Sequence, residues 1–223
     1  MAGIITALEL QKKNKNRVNV YLDEQFAFSL TLIHAARLKR GEYLSDAAIE
    51  RLRQEDERQE AHERALAFLG YRPRSETEVR RYLSGKGFVE PVIEDVLTRL
   101  RRSEFLDDGE FARFWVENRQ RFHPRGRRAL RYELKTKGLS AEDIADALAG
   151  VDEEETAYSL ARARAEKWAA LAPRELQRRL GQYLARRGFA YSVIADVWDR
   201  LREDLSLDSD DFIDDHPPII RPG

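Results

Sequence analysis

In this 223-residue sequence, the side chains best suited to bind an anion are a run of cations between residues 119 and 137. Guanidinium and ammonium groups donate charge-assisted hydrogen bonds to phosphate and carboxylate oxygens. The run carries a net charge of +7, with Glu133 as its one carboxylate and these cations: Arg119, Arg121, Arg125, Arg127, Arg128, Arg131, Lys135 and Lys137. This composition predicts contact with an anionic partner; the alternative is a solvated arginine-rich helix.

Helical spacing places part of this charge on one face. With Leu130 and Leu134 marking the buried direction, three cations and Tyr132 lie roughly 100–200° from Leu130 at about 100° per residue. Like charges this close repel, and an anion would relieve the repulsion. The predicted contact residues are Arg125, Arg127, Arg128, Arg131 and Lys135, together with Arg80, Arg81, Arg178 and Arg186 from the corresponding helices before and after.

The sequence carries no catalytic constellation. Its four histidines lack metal-ligand spacing, and no glycine-rich phosphate loop or nucleophile elbow occurs. The Asp107-Asp108 pair is better placed as a helix cap than as an acid–base pair. We therefore expect a protein that is not an enzyme and that uses no metal and no cofactor. The lack of cysteine, membrane span and secretory signal fits a cytoplasmic location.

A glycine-centred segment occurs three times. Gly87, Gly138 and Gly188 lie 51 and then 50 residues apart, and each follows a Pro-Arg pair by 14 or 15 residues. Leucine precedes each glycine by four positions and isoleucine follows it by six, which is typical of stacked helical units. We expect Gly87 to adopt a left-handed helix C-terminus, and Ser75 with Glu78 to form a capping box. The aromatic stripe Phe111, Phe114 and Trp115 is predicted to lie in the core.

The first 50 residues follow a different pattern. Val18, Val20 and Leu22 alternate with polar residues, which predicts one strand of a three-stranded antiparallel meander covered by helices near 31–38 and 45–60. The fold class is mainly α, with three three-helix repeats in an elongated array. The predicted divisions are a meander with its helix at 1–50, a charged helical linker at 51–62, repeats at 63–103, 104–152 and 153–204, and a disordered acidic tail at 205–223.

Two long stretches resemble the RecX family of RecA recombinase regulators. The sequence from Glu104 to Arg119, with Leu106-Asp107-Asp108 and Phe111-Ala112, is similar to the hallmark of that family. The stretch from Arg125 to Gly138 is similar to its next helix, and Ser75–Leu83 with Lys86-Gly87-Phe88 matches the first unit. The segment from Lys12 to Ser29 is similar to the N-terminal extension of longer members. Phe105 departs from the pattern, since glycine is usual there.

The resemblance implies tandem three-helix units that bind the RecA filament along its groove, limit its growth, and suppress ATPase activity and strand exchange in DNA recombination, repair and the SOS response. Several family members also bind DNA directly, so single- and double-stranded DNA are candidate partners, and a monomer is expected. The alternative is a helical DNA-binding protein that acts without a recombinase, because a three-helix unit with a basic second helix superficially resembles a helix-turn-helix module.

Overall fold

The computed structural model describes residues 2–205. It divides into two compact units, residues 1–107 and 108–223. In order along the chain the elements are β1 (Gly3–Leu10), β2 (Arg17–Leu22), β3 (Gln25–Thr31), α1 (Leu32–Ala35), β4 (Tyr43–Leu44), α2 (Asp46–Leu69), α3 (Glu76–Gly85), α4 (Glu90–Arg102), α5 (Asp108–Phe122), α6 (Arg127–Thr136), α7 (Ala141–Ala149), α8 (Glu153–Lys167), α9 (Pro173–Ala185) and α10 (Tyr191–Asp204). The tail predicted for 205–223 lies, apart from Leu205, outside the described residues.

The predicted fold class is confirmed in its helical repeats and in its small antiparallel sheet. The sheet has the order β3-β2-β1-β4, one strand more than predicted, because Tyr43 and Leu44 pair with the start of β1. Alternate residues of β2 are buried, as the period of two requires. The turn between β2 and β3 uses Asp23 and Glu24 with positive φ angles of 47° and 68°, which matches a tight hairpin turn.

Helix α2 covers the sheet with its first half and begins the first three-helix unit with its second half. Ile49 packs among the buried sheet residues, whereas Ala61 and Ala65 belong to the core of the unit formed with α3 and α4. Residues 51–62, which we predicted to be a charged helical linker, are the middle of this single helix. Residues 46–69 contain no glycine or proline, so nothing in this stretch interrupts the backbone hydrogen bonds. The helix predicted near 31–38 is only the four-residue α1.

The second and third three-helix units have their own cores. Helices α5, α6 and α7 bury Phe111, Leu130 and Leu134, and helices α8, α9 and α10 bury Leu180 and Trp198. Phe114 was predicted to lie in the core beside Phe111, but its side chain is 43% exposed. It lies on the side of α5 that turns away from α6 and α7.

The repeated glycines end α3, α6 and α9 in the same way. Gly87, Gly138 and Gly188 have φ angles of 91°, 86° and 83°, so all three occupy the left-handed region predicted for Gly87. After Gly87, the Phe88 N–H donates to the Leu83 carbonyl at 3.3 Å, and this 6→1 bond recurs at the other two helices. This pattern is the Schellman motif, which satisfies carbonyls that the helix end leaves free. The Ser75–Glu78 capping box at the start of α3 is also present.

Candidate anion-binding surface

Helix α6 positions its cations by burying two leucines on the opposite side. Leu130 and Leu134 are fully buried between α5 and α7, so the opposite side of the ten-residue helix is turned outward. Four of its outward residues form what we call the α6 stripe: Arg128, Arg131, Tyr132 and Lys135. All four are exposed, and Tyr132 is 73% exposed. The exposure predicted from the helical wheel is confirmed.

The cations of the α6 stripe have no internal counter-charge. Within residues 2–205, no carboxylate forms an ion pair with Arg128, Arg131 or Lys135, and their side chains donate no hydrogen bond. Neighbours three and four positions apart on a helix lie about 5–6 Å apart at their β-carbons, so the three charges repel one another. The stripe is therefore a compact, uncompensated positive surface with a single exposed aromatic ring.

The carboxylate of Glu133 pairs with two other cations of the basic run, of which Arg125 was a predicted contact residue. Arg119 of α5 donates to it at 2.7 Å, and Arg125, just before α6, lies 3.2 Å from it. The Trp115 indole donates to the same carboxylate at 2.8 Å. These bonds hold α5 against α6. Arg119 and Arg125 therefore position the helix, and each would have to leave Glu133 to contact a partner.

Arg127 is held by hydrogen bonds from both its side chain and its backbone. Its guanidinium donates to the Val151 carbonyl at 2.7 Å, and its backbone N–H donates to the Glu153 carboxylate at 2.9 Å. A carboxylate at this point also complements the positive end of the α6 dipole. Although Arg127 was among the predicted contact residues, its guanidinium is bound to Val151 of its own unit, and its backbone N–H joins that unit to the third one.

A close contact between two glycines lies beside Arg127. The Gly126 N–H donates to the Arg187 carbonyl at 3.0 Å, which brings the start of α6 against the end of α9. A β-carbon on Gly126 would overlap the Gly188 carbonyl, so only glycine fits. This contact was missed in the sequence, where the signal was the glycine in Pro-Arg-Gly at the start of the most basic helix.

The remaining predicted contact residues differ in whether they form ion pairs. Arg80 forms ion pairs with Glu76, Glu90 and Glu94, which hold the pKa of Arg80 above its usual value, chiefly through its hydrogen bond to Glu94. Arg178 pairs with Glu175 at 2.7 Å. Arg81 and Arg186 are exposed and form no ion pair within the described residues.

The basic residue that precedes each repeated glycine covers an aromatic ring. Lys86 lies 5.5 Å from the Tyr82 ring centre, Lys137 lies 4.7 Å from that of Trp115, and Arg187 lies 4.1 Å from that of Tyr183. These cation–π contacts add to the favourable interaction of a cation with a helix C-terminus. They give the cation at this repeated position a structural role.

Residues 2–205 contain no cluster of side chains suited to a metal ion. No helix in the same range has the length and apolar character needed to cross a membrane.

Comparison with known proteins decides the family. The model of the regulatory protein RecX N-terminal domain matches residues 3–45, and models of the first, second and third RecX three-helix domains match residues 61–100, 107–148 and 152–198. The chain belongs to the RecX family. The matched ranges include the whole α6 stripe, so the stripe lies within a RecX three-helix domain.

Curated relatives and solved structures agree with this assignment. Proteins named Regulatory protein RecX from Bacillus licheniformis and Bacillus subtilis are 34% and 33% identical over 86% and 92% of this chain, covering 74% and 80% of their own lengths. A crystal structure of regulatory protein RecX matches with a TM-score of 0.70 and 28% identity over 89% of this chain and all of that one. RecX from Lactobacillus salivarius matches with a TM-score of 0.62 and 25% identity over 67% of this chain and 98% of that one.

Proposed function

We propose that this RecX-family chain regulates the RecA recombinase by binding its nucleoprotein filament, and that it inhibits filament growth, ATPase activity and strand exchange. The α6 stripe is the contact surface in this proposal. The observation that carries it is a cluster of three exposed cations without counter-charge, on a protein whose relatives are named regulatory proteins. A filament of recombinase on DNA is an anionic polymer, and it would relieve the repulsion within the stripe.

Arg81 and Arg186 are further contact residues in this proposal, because both are exposed and neither forms an ion pair in the described range. Arg125 and Arg178 each have a carboxylate partner, so binding would have to exchange one ion pair for another. Arg80 and Arg127 contribute least. Arg80 is held by several carboxylates, and the Arg127 guanidinium is held by the Val151 carbonyl. Contacts on more than one repeat would raise affinity along a filament without any single strong site.

The alternative function is DNA binding without a recombinase. In a helix-turn-helix complex the N-terminal residues of the second helix face the bases of the major groove. Here the start of α6 is occupied by the Glu153 carboxylate and by the Arg187 carbonyl, and this argues against that mode of docking. The exposed side of α6 remains accessible to a phosphate backbone, so binding to DNA alone is tested beside binding to the filament.

The experiment is a titration of the protein into a DNA-activated RecA ATPase assay, comparing wild type with the variant R128E/R131E/K135E. If each cation contributes about 0.5 kcal/mol to binding, reversing all three raises the half-inhibitory concentration about tenfold or more. The helical circular dichroism should not change, because the three side chains are exposed and form no ion pair or hydrogen bond within residues 2–205.

A matched control is R51E/R58E/K167E, which reverses three exposed cations outside the stripe. An equal reduction of inhibition in the two variants would show an effect of net charge alone. Unchanged inhibition by the stripe variant would remove α6 from the contact. A wild-type protein that binds DNA but leaves the ATPase unaffected would favour the recombinase-independent alternative.

A further inference from the structure

The turn between β1 and β2 forms a second cationic surface, in the N-terminal part of the chain. Backbone hydrogen bonds set its shape: the Gln11 N–H donates to the Arg17 carbonyl at 2.9 Å, and the Arg17 N–H donates to the Asn14 carbonyl at 3.1 Å. The Asn14 side chain accepts from the Asn16 N–H at 3.0 Å. The tip of the hairpin is thus organised before any partner arrives, which reduces the entropic cost of binding.

This organised turn carries three lysines and no carboxylate. Lys12, Lys13 and Lys15 are all exposed, and none forms an ion pair or side-chain hydrogen bond within residues 2–205. The next cation, Arg17, is already satisfied by Asp56 at 3.0 Å and Glu60 at 2.7 Å. Three of the four cations in the hairpin connection therefore have no carboxylate partner within residues 2–205.

The composition of the turn identifies the kind of partner. All six residues from Gln11 to Asn16 are polar, and none is acidic or aromatic. Protein–protein interfaces are depleted of lysine and enriched in aromatic residues and arginine. Lysine, asparagine and glutamine side chains are, in contrast, common ligands of the DNA backbone. These features favour phosphate over an acidic protein surface.

We propose that the β1–β2 turn binds the phosphate backbone of DNA through Lys12, Lys13 and Lys15. The contact carries no base readout, because the turn offers charge and no groove-reading helix. This site lies within residues 1–107 and the α6 stripe within residues 108–223, so one chain presents two separate polyanion contacts. The new element is the site: the proposal assigns direct DNA contact to this turn, and it holds whether or not the chain regulates a recombinase.

The test measures the affinity of the full chain for fluorescein-labelled DNA, as an oligodeoxythymidylate and as a duplex of the same length, over a series of salt concentrations. The slope of log K against log salt falls in magnitude by about 0.9 for each duplex phosphate that the protein no longer neutralises, and by about 0.7 for each single-strand phosphate. For K12Q/K13Q/K15Q we expect a slope shallower by roughly 2–3 on duplex, with unchanged circular dichroism.

The control is R37Q/K39Q/R40Q, which removes the same charge from exposed residues between α1 and β4. A slope equal to that of wild type in the lysine variant, or an equal change in both variants, would overturn the assignment of the turn. Inhibition of the recombinase ATPase is measured in parallel on the same variant. Its result bears on the function proposed above and leaves the DNA contact to be judged by the salt slope alone.

Discussion

Trp115 on α5 donates its indole N–H to the Glu133 carboxylate on α6 at 2.8 Å, and that carboxylate is the only acidic group between residues 119 and 137. The same group holds Arg119 at 2.7 Å and Arg125 at 3.2 Å. A single side chain thus fixes the angle between two helices and decides which cations remain uncompensated. The α6 stripe contains the cations of this helix that neither Glu133 nor Val151 holds.

Replacing Glu133 by glutamine should increase the affinity for DNA and make it more sensitive to salt. The amide oxygen still accepts the indole hydrogen bond, but the charge that pairs with Arg119 and Arg125 is removed. The measurement is the salt slope described for the hairpin turn, which should steepen by about one phosphate contact, or about 0.9 on duplex DNA.

The control for this variant is Glu117→Gln on α5, which removes one exposed carboxylate with no partner among the described residues. An equal gain in affinity from both variants would mean that net charge alone controls binding. Weaker binding by Glu133→Gln would show that the orientation of α6 matters more than the release of two arginines.

Replacing Glu104 by glycine should stabilise the first three-helix unit. Glu104 has a φ angle of 58° after α4, where its N–H donates to the Arg101 carbonyl and the Phe105 N–H donates to the Leu100 carbonyl at 3.0 Å. This is the same helix ending that glycine forms after α3, α6 and α9. A non-glycine residue in this region costs about 1–2 kcal/mol, partly offset by the greater freedom of glycine in the unfolded chain.

We therefore expect a net gain of about 0.5–1 kcal/mol for Glu104→Gly, measured by urea unfolding. Glu104→Ala is the comparison, because it removes the same exposed side chain but keeps the β-carbon in the left-handed region. If alanine stabilised as much as glycine, the side chain rather than the backbone would be the source of the cost.

The features that sequence predicted are those set by residues close together in the chain. The Ser75 cap, the left-handed Gly87 and the outward face of α6 each depend on a few neighbouring positions. In the comparison with the family pattern, Phe105 stands where glycine is usual. The strained residue is Glu104, because the ending of α4 has its left-handed position one residue earlier.

What sequence did not predict depends on residues that only the fold brings together. Glu153 caps α6 from 26 positions beyond Arg127, and Gly126 meets the end of α9 across more than 60 residues. The charged stretch at 51–62 was predicted to be a helical linker, but its sequence does not show that it continues without a break into the first helix of the repeat. Contacts with the sheet at one end and with α4 at the other make it continuous.

Lowering the pH below about 6.5 should destabilise the first three-helix unit through His62. This side chain is 7% exposed on α2, and its burial lowers the pKa below 6.5, with the positive charge of Arg99 acting in the same direction. Glu63 and Asp95 oppose the shift without cancelling it. His62 therefore binds a proton more readily in the unfolded chain than in the folded chain. As a result, stability rises with pH.

The stability contributed by neutral His62 is complete above the unfolded pKa of 6.5 and declines as the pH falls from 6.5 toward the folded pKa. The free energy of unfolding, measured with urea at several pH values in this range, should change less steeply with pH in His62→Gln, which cannot titrate. An identical pH dependence in both proteins would assign the acid sensitivity to other groups.

Replacing Gly126 by alanine should weaken the junction between the second and third three-helix units. A β-carbon there overlaps the Gly188 carbonyl, and backbone cannot yield as a flexible side chain would. We expect destabilisation of about 1–3 kcal/mol, typical of overpacking. Gly150→Ala is the matched control, because nothing lies within 4 Å of the new methyl group and its φ of −85° suits alanine. Hydrogen exchange locates the effect: protection of the Gly126 and Arg127 amides should decrease, since they donate to Arg187 and Glu153 across the junction. Wild-type protection and stability in Gly126→Ala would mean that the two units adjust to the methyl group, and the glycine contact would then not be what holds them together.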